Sequence, residues 1–262
     1  MISRRNALLG AATALAVAPI ADARTRTPLA AEPISRMSTA WWKRRHEAKL
    51  AAIKGHQFDL VWLGDSITEN WEHAGPPAWE AFQPVWQKYY GDRRALNLGF
   101  KGDATSHLLW RMMHGELEGV APKVAIILIG ANNMGRVHWP VDDNVAGIEA
   151  VVAEARKRIP NAGLLLLGIL PSDRSDWVTQ STLAINAALA ANYGDGRRER
   201  VAYMDAGRVL RDRGKLDRSL FLDPHLSPPK PPLHPSPEGM RRIAEAIEPT
   251  LARMMGDGVH MG

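Results

Sequence analysis

Ser66, in Gly64-Asp65-Ser66, and His234, in His234-Pro235-Ser236, are the residues of this chain best suited to covalent chemistry. A neutral serine hydroxyl is a weak nucleophile. It needs a base within hydrogen-bond reach and donors aimed at the oxyanion that forms when it attacks a carbonyl. Gly102 offers a backbone N–H with no side chain in the way, and Asn132 offers a carboxamide NH₂. Gathered together, these four residues have the groups for acyl transfer from an ester.

The gathering has to come from the fold. The run from Phe58 to Leu63 is short, rich in strand formers and halted by Gly64, so it reads as a buried strand delivering Ser66 to its carboxyl edge. Ala95-Leu96-Asn97-Leu98 likewise runs into Gly99-Phe100-Lys101-Gly102-Asp103, and the run from Val124 to Ile129 runs into Gly130-Ala131-Asn132-Asn133. If the three strands are parallel, Ser66, Gly102 and Asn132 emerge on one sheet edge, where open α/β folds hold their ligands. Strands at 60–63, 95–98, 124–129, 163–169 and 201–205 alternate with helices at 38–54, 78–90, 105–113, 142–158, 176–192 and 236–254. That alternation predicts an α/β chain with a single doubly wound domain, a five-stranded parallel sheet and helices on both faces.

The blocks Gly64-Asp65-Ser66, Asn97-Leu98-Gly99 through Gly102-Asp103, Gly130-Ala131-Asn132-Asn133 and His234-Pro235-Ser236 resemble the four signature blocks of the SGNH, or GDSL, hydrolases, a family with a flavodoxin-like fold. The stretch from Asn97 through His107-Leu108-Leu109-Trp110-Arg111, Gly115-Glu116-Leu117 and Pro122-Lys123-Val124 to Asn133 is similar, more particularly, to the catalytic subunits of platelet-activating-factor acetylhydrolase type Ib and their bacterial relatives. The likeness runs from about Trp41 to Leu251. It implies a carboxylic ester hydrolase acting on short acyl groups, acetyl above all. It makes Ser66 the nucleophile and His234 the base, with an oxyanion hole formed by the N–H groups of Ser66 and Gly102 and the Asn132 side chain. Lys101 stands where the relatives often have glycine.

One departure bears on the mechanism. The family's triad aspartate usually sits three residues before the histidine, and Pro231 occupies that place here. The nearest upstream acid is Asp223, eleven residues before His234. Pro224, Pro228, Pro229, Pro231 and Pro232 stiffen the interval, so a rigid excursion can return Asp223 to His234 or leave it elsewhere. His225-Leu226-Ser227-Pro228 matches the same histidine block and makes His225 a rival base. Pro237-Glu238-Gly239-Met240 and the helical pattern Ile243, Ala246, Ile247, Leu251 follow His234 as the family's last helix would, and favour it.

Plainer roles are expected for the remaining residues. Asp65 orders a turn; Asp103 reads as a helix N-cap; Asn132 and Asn133 also suit a left-handed turn. His46, His56, His73 and His138 read as solvated, His260 as part of a frayed tail, and His107 and His114 as packed and hydrogen-bonded. Trp71, Trp79, Trp139 and Trp177 read as ordinary core or surface aromatics rather than as a pocket lining.

Cysteine is absent, which removes disulfides and thiol nucleophiles. The net charge of +5 is scattered over short basic clusters without stacking aromatics, so no nucleic-acid partner is expected. Ser3-Arg4-Arg5-Asn6, an apolar stretch from Ala7 to Ala18 and Ala21-Asp22-Ala23 read as an export signal over residues 1–23. Its paired arginines resemble the twin-arginine type, which implies a periplasmic or secreted protein. The stretch is too short to span a bilayer, so no transmembrane anchor is expected. A mobile linker at 24–37, the hydrolase domain at 38–255 and a flexible tail at 256–262 complete the expected organisation. No cofactor or metal is expected. The expected partner is a small-molecule, carbohydrate or lipid ester, and the resemblance makes a homodimer possible. Two other readings use the same fold: a non-catalytic binding or scaffold protein, and an acyltransferase to a sugar.

Overall fold

The three inner strands of the central sheet are buried on both faces, and their alternate residues feed two different cores. The computed structural model describes residues 27–74 and 81–260. The 1–23 export reading, Gly75-Pro76-Pro77, Trp79 and the expected helix start at Ala78 lie outside them. In chain order the principal elements are α1 (Ala40–Ile53), β1 (Leu60–Gly64), α2 (Ser66–Glu69), α3 (Gln83–Tyr90), β2 (Ala95–Gly99), α4 (Thr105–Arg111), β3 (Val124–Leu128), α5 (Val141–Arg158), β4 (Gly163–Leu167), α6 (Asp176–Tyr193), β5 (Val201–Met204) and α7 (Pro237–Met255). Val61, Leu63, Ala125, Ile127, Leu164 and Leu166 pack with α4, α5 and α6. Leu60, Trp62, Ile126, Leu165 and Leu167 pack with α3 and α7 on the opposite face.

The sheet is parallel throughout, in the order β2-β1-β3-β4-β5. Gly64 lies level with Gly99 on one side and Leu128 on the other, so the carboxyl ends of the three strands form one ledge. The chain steps from β1 outward to β2 and then back across to β3, which makes this ledge the topological switch point of the sheet.

Several boundaries differ from expectation, each for a local reason. α3 starts at Gln83, with Pro84 in its first turn, where a missing N–H costs nothing. α4 gives way after Arg111 to a wide turn over Met112–Glu116, opened by Gly115 at φ 104°. A two-residue antiparallel hairpin, β6 (Arg211–Asp212) with β7 (Lys215–Leu216), carried no periodic signal in the sequence.

The segments read as a linker and a tail are tied down wherever they are described. Leu29–Ala31 forms a 3-10 turn, Ala30 is fully buried with its carbonyl accepting from Thr105 Oγ1 at 2.7 Å, and the Ile34 N–H donates to the Ser106 carbonyl at 3.0 Å. At the other end Arg93 donates to Glu248 of α7 and to both oxygens of Asp257, and the His260 N–H donates to Glu248 at 2.8 Å.

Candidate active site

The turn after β1 is the anchor. A Cβ at Gly64 would lie 2.1 Å from Thr68 Oγ1 and 2.5 Å from the Leu128 carbonyl, so only glycine lets α2 begin so close to β3. Asp65 caps α2, its Oδ1 accepting the Ile67 N–H at 3.0 Å. Burial pushes the Asp65 carboxyl up to about 6, against the opposing pull of the Ile67 N–H and of His234. Ser66, the first residue of α2, is 8% exposed.

Ser66 Oγ lies 3.1 Å from His234 Nε2, and His234 Nδ1 lies 2.8 Å from Asp223 Oδ1. The carboxylate fixes the tautomer: Nδ1 carries the proton, so Nε2 accepts from the Ser66 hydroxyl. Asp223 Oδ2 accepts the N–H groups of His234 and Leu233, at 2.6 and 2.8 Å. Burial works to raise the Asp223 carboxyl, but the hydrogen bond and charge of His234 and these two N–H groups outweigh it and hold the carboxyl below its ordinary value. The proline-rich excursion does return Asp223 to His234. It closes through Lys230 N–H to the Asp223 carbonyl and Leu222 N–H to the His234 carbonyl, both at 2.9 Å, and through Ser172 Oγ to the Pro232 carbonyl at 2.7 Å. His225 is exposed on the 3-10 turn Asp223–His225 and makes no hydrogen bond with Ser66.

The other wall comes from β2 and β3. Gly102 adopts φ +74°, a left-handed conformation that favours glycine. Asn132, 7% exposed, donates from Nδ2 to the Asp103 carbonyl at 3.0 Å and to Asp65 Oδ2 at 3.3 Å. The 3.3 Å bond is the weaker one; an oxyanion replacing Asp65 as acceptor would take that N–H.

Beneath this wall lies a set of buried charges that sequence reasoning missed. Arg111, fully buried, donates to Asp103 Oδ2 at 2.8 Å, to the carbonyls of Leu98 and Gly64 at 3.1 Å and to Glu116, and covers the Phe100 ring at 3.9 Å. Glu116 meets His46 Nδ1 at 2.9 Å, and Asp103 Oδ1 accepts from Trp42 Nε1 and Arg36, each at 2.8 Å. The signal was an arginine and a glutamate interrupting an apolar stretch.

Several plain readings therefore change. Asp103 is no helix cap, because its carboxylate is taken by Arg36, Trp42 and Arg111. The N-cap position falls to Ala104, whose N–H donates to His107 Nδ1 at 2.9 Å. His46 is buried at 3% exposure and stacked on Trp42 rather than solvated. His107 is packed as expected, and burial above all pushes it down to about 4, so the neutral ring can accept that bond. Asn132 has ordinary right-handed backbone, and Asn133 pairs with Thr105 at 2.9 Å through both side-chain atoms. Trp71 belongs to the aromatic core with Trp62 and Tyr90, while Trp177 is exposed, edge-on to His138. The 750 Å³ cavity beside Pro160, Asn161 and Arg200 opens at the amino ends of β4 and β5, far along the fold from the reacting groups. Among the described residues no cluster of carboxylates and imidazoles could hold a metal ion, and no helix is long and apolar enough to cross a membrane.

The family model described as the GDSL-like Lipase/Acylhydrolase family matches residues 62–242. The human platelet-activating factor acetylhydrolase IB subunit alpha2 is 29% identical over 188 residues, covering 71% of this chain and 76% of its own. Among solved structures, a GDSL-like lipase from Bacteroides thetaiotaomicron superposes with a TM-score of 0.61 at 16% identity, over 80% of this chain and 97% of its own. A carbohydrate acetylesterase family member from Sinorhizobium meliloti does so with a TM-score of 0.55 at 16% identity, over 75% and 98%.

Proposed function

We propose, on the premise that this chain belongs to the GDSL-like lipase/acylhydrolase family and is a carboxylic ester hydrolase, that it works by two-step acyl transfer from Ser66 to water. The carrying observation is the unbroken sequence of contacts from Ser66 Oγ through the His234 ring to Asp223, at 3.1 and 2.8 Å. Ser66 attacks the ester carbonyl as His234 Nε2 takes its proton, and Asp223 holds the ring and stabilises the imidazolium that forms. The N–H groups of Ser66 and Gly102 and the Asn132 amide receive the oxyanion. His234 then passes the proton to the departing alcohol. In the second step it takes a proton from water as the water attacks the acyl-enzyme, then returns that proton to Ser66 Oγ as the acid leaves.

The acyl group is short, acetyl first, a reading supported by the acetylhydrolase relative. The arginine pair and apolar stretch of residues 1–23 support export through a twin-arginine signal, and the same relative makes a homodimer the assembly to test by light scattering. The decisive experiment is hydrolysis of 4-nitrophenyl acetate. Ser66→Ala should lose at least about 10³-fold in kcat, and a native rate in that variant would end the reading.

A further inference from the structure

The rim of the oxyanion wall carries positive charge that this mechanism leaves unused. Gly102 turns its bare Cα toward Arg136: a Cβ there would stand 2.3 Å from Arg136 Nη1 and 3.6 Å from Arg36 Nη1. Arg36 is already committed, to Asp103 Oδ1 at 2.8 Å and the Lys101 carbonyl at 3.0 Å. Arg136 is exposed and makes no hydrogen bond or ion pair among the described residues. It is carried on the turn Asn133–Val137, directly after Asn132, and that turn ends at His138 with φ 62°. Lys101, next to Gly102, adds a second exposed ammonium without an ion pair among the described residues. The field of this corner reaches into the protein, since Arg36, Arg111 and Arg136 join burial in lowering His107, with Asp103 opposing.

We propose that Arg136, assisted by Lys101, forms an anion subsite at the lip of the oxyanion hole, and that the ester this protein takes carries a carboxylate or phosphate. A guanidinium with no protein acceptor, held over a bare glycine Cα, has its fork free for a planar carboxylate or a phosphate. Its charge also raises the local concentration of anionic esters around Ser66. An acetyl group has no charge to offer, so the anion belongs to the alcohol portion. The inference rests on the Ser66 acyl-transfer reading for its substrate, though not for its binding site.

The test compares 3-acetoxybenzoate and 3-acetoxyphenyl phosphate with neutral methyl 3-acetoxybenzoate, which separates carboxylate from phosphate recognition. In the native protein kcat/KM should favour at least one anionic ester. Arg136→Gln should lower the anionic-to-neutral ratio about tenfold or more, mostly through KM. Arg136→Lys should restore part of it, and high salt should erase it. Calorimetry on Ser66→Ala with benzoate and phenyl phosphate gives a readout independent of turnover: binding of one, lost when Arg136→Gln is added, is expected. Equal loss on neutral and anionic esters in Arg136→Gln, or no anion binding by Ser66→Ala, overturns the subsite. If the native protein cleaves none of the esters, the acyl-transfer reading fails while calorimetry still decides the subsite.

Discussion

The two walls of the candidate site, one proposed to hold the oxyanion and the other to carry the base, are built in opposite ways. The oxyanion wall is a sheet edge: three strands in fixed register present Ser66, Gly102 and Asn132, and Arg111 locks them from below through the Gly64 and Leu98 carbonyls and Asp103. The base wall is a single excursion from Asp223 to His234, held by one carboxylate and a few backbone bonds. A wall that must supply immobile donors is made from paired strands in register. A wall that must move a proton is made from a loop whose carboxylate grips both the ring and the backbone of its histidine.

This contrast predicts different failures. The largest effect belongs to the base wall: Asp223→Asn should cost about 10³–10⁴-fold in kcat with little change in KM, because the ring loses its tautomer while binding surfaces stay. An equally large rise in KM would mean that the carboxylate mainly shapes the loop. On the oxyanion wall, Arg111→Met takes from buried Asp103 one of its two arginine partners and leaves buried Glu116 with His46 alone. It should lower stability by about 3–5 kcal/mol in urea titrations, and a neutral outcome would show that the buried charges are dispensable.

The smallest effect sharpens the comparison through pH. Asp65 is raised to about 6 from an ordinary 3.8, so the folded protein binds its proton more tightly than the unfolded chain does. Stability tied to that proton is complete below about pH 4 and is lost as pH rises through about 6, a swing of about 3 kcal/mol. Asp223 is lowered and acts with the opposite sign, its contribution being lost as pH falls through its folded value. Asp65→Asn should therefore flatten the decline between pH 4 and 6; an unchanged slope in urea midpoints would show that Asp65 is not its source.

The same division explains what could be read from the sequence. The five strands and the ledge were legible because buried strands are short apolar runs, and because glycines and asparagines mark where each run must turn. Gly64 and Gly102 are dictated by backbone constraints that leave a signature in residue type. Asp223 is different. Its place beside His234 depends on how eleven residues with five prolines fold back, and no local pattern encodes that return. The Arg111 assembly was equally opaque, because Arg36, Trp42, His46, Asp103 and Glu116 are distant in the chain and meet only when α1 and the turn at Gly115 close on β2. The anchoring of residues 27–37 was hidden for a related reason: a short Ala/Pro segment docks by backbone bonds to α4 rather than by side-chain periodicity.

The most direct test asks whether the Ser66 hydroxyl is activated by the imidazole beside it. Treatment with a fluorophosphonate followed by intact-mass and peptide analysis should find one adduct per chain, on Ser66, absent from Ser66→Ala and formed at least about 100-fold more slowly in His234→Ala. An adduct on another residue, or one forming as fast without His234, would contradict the account.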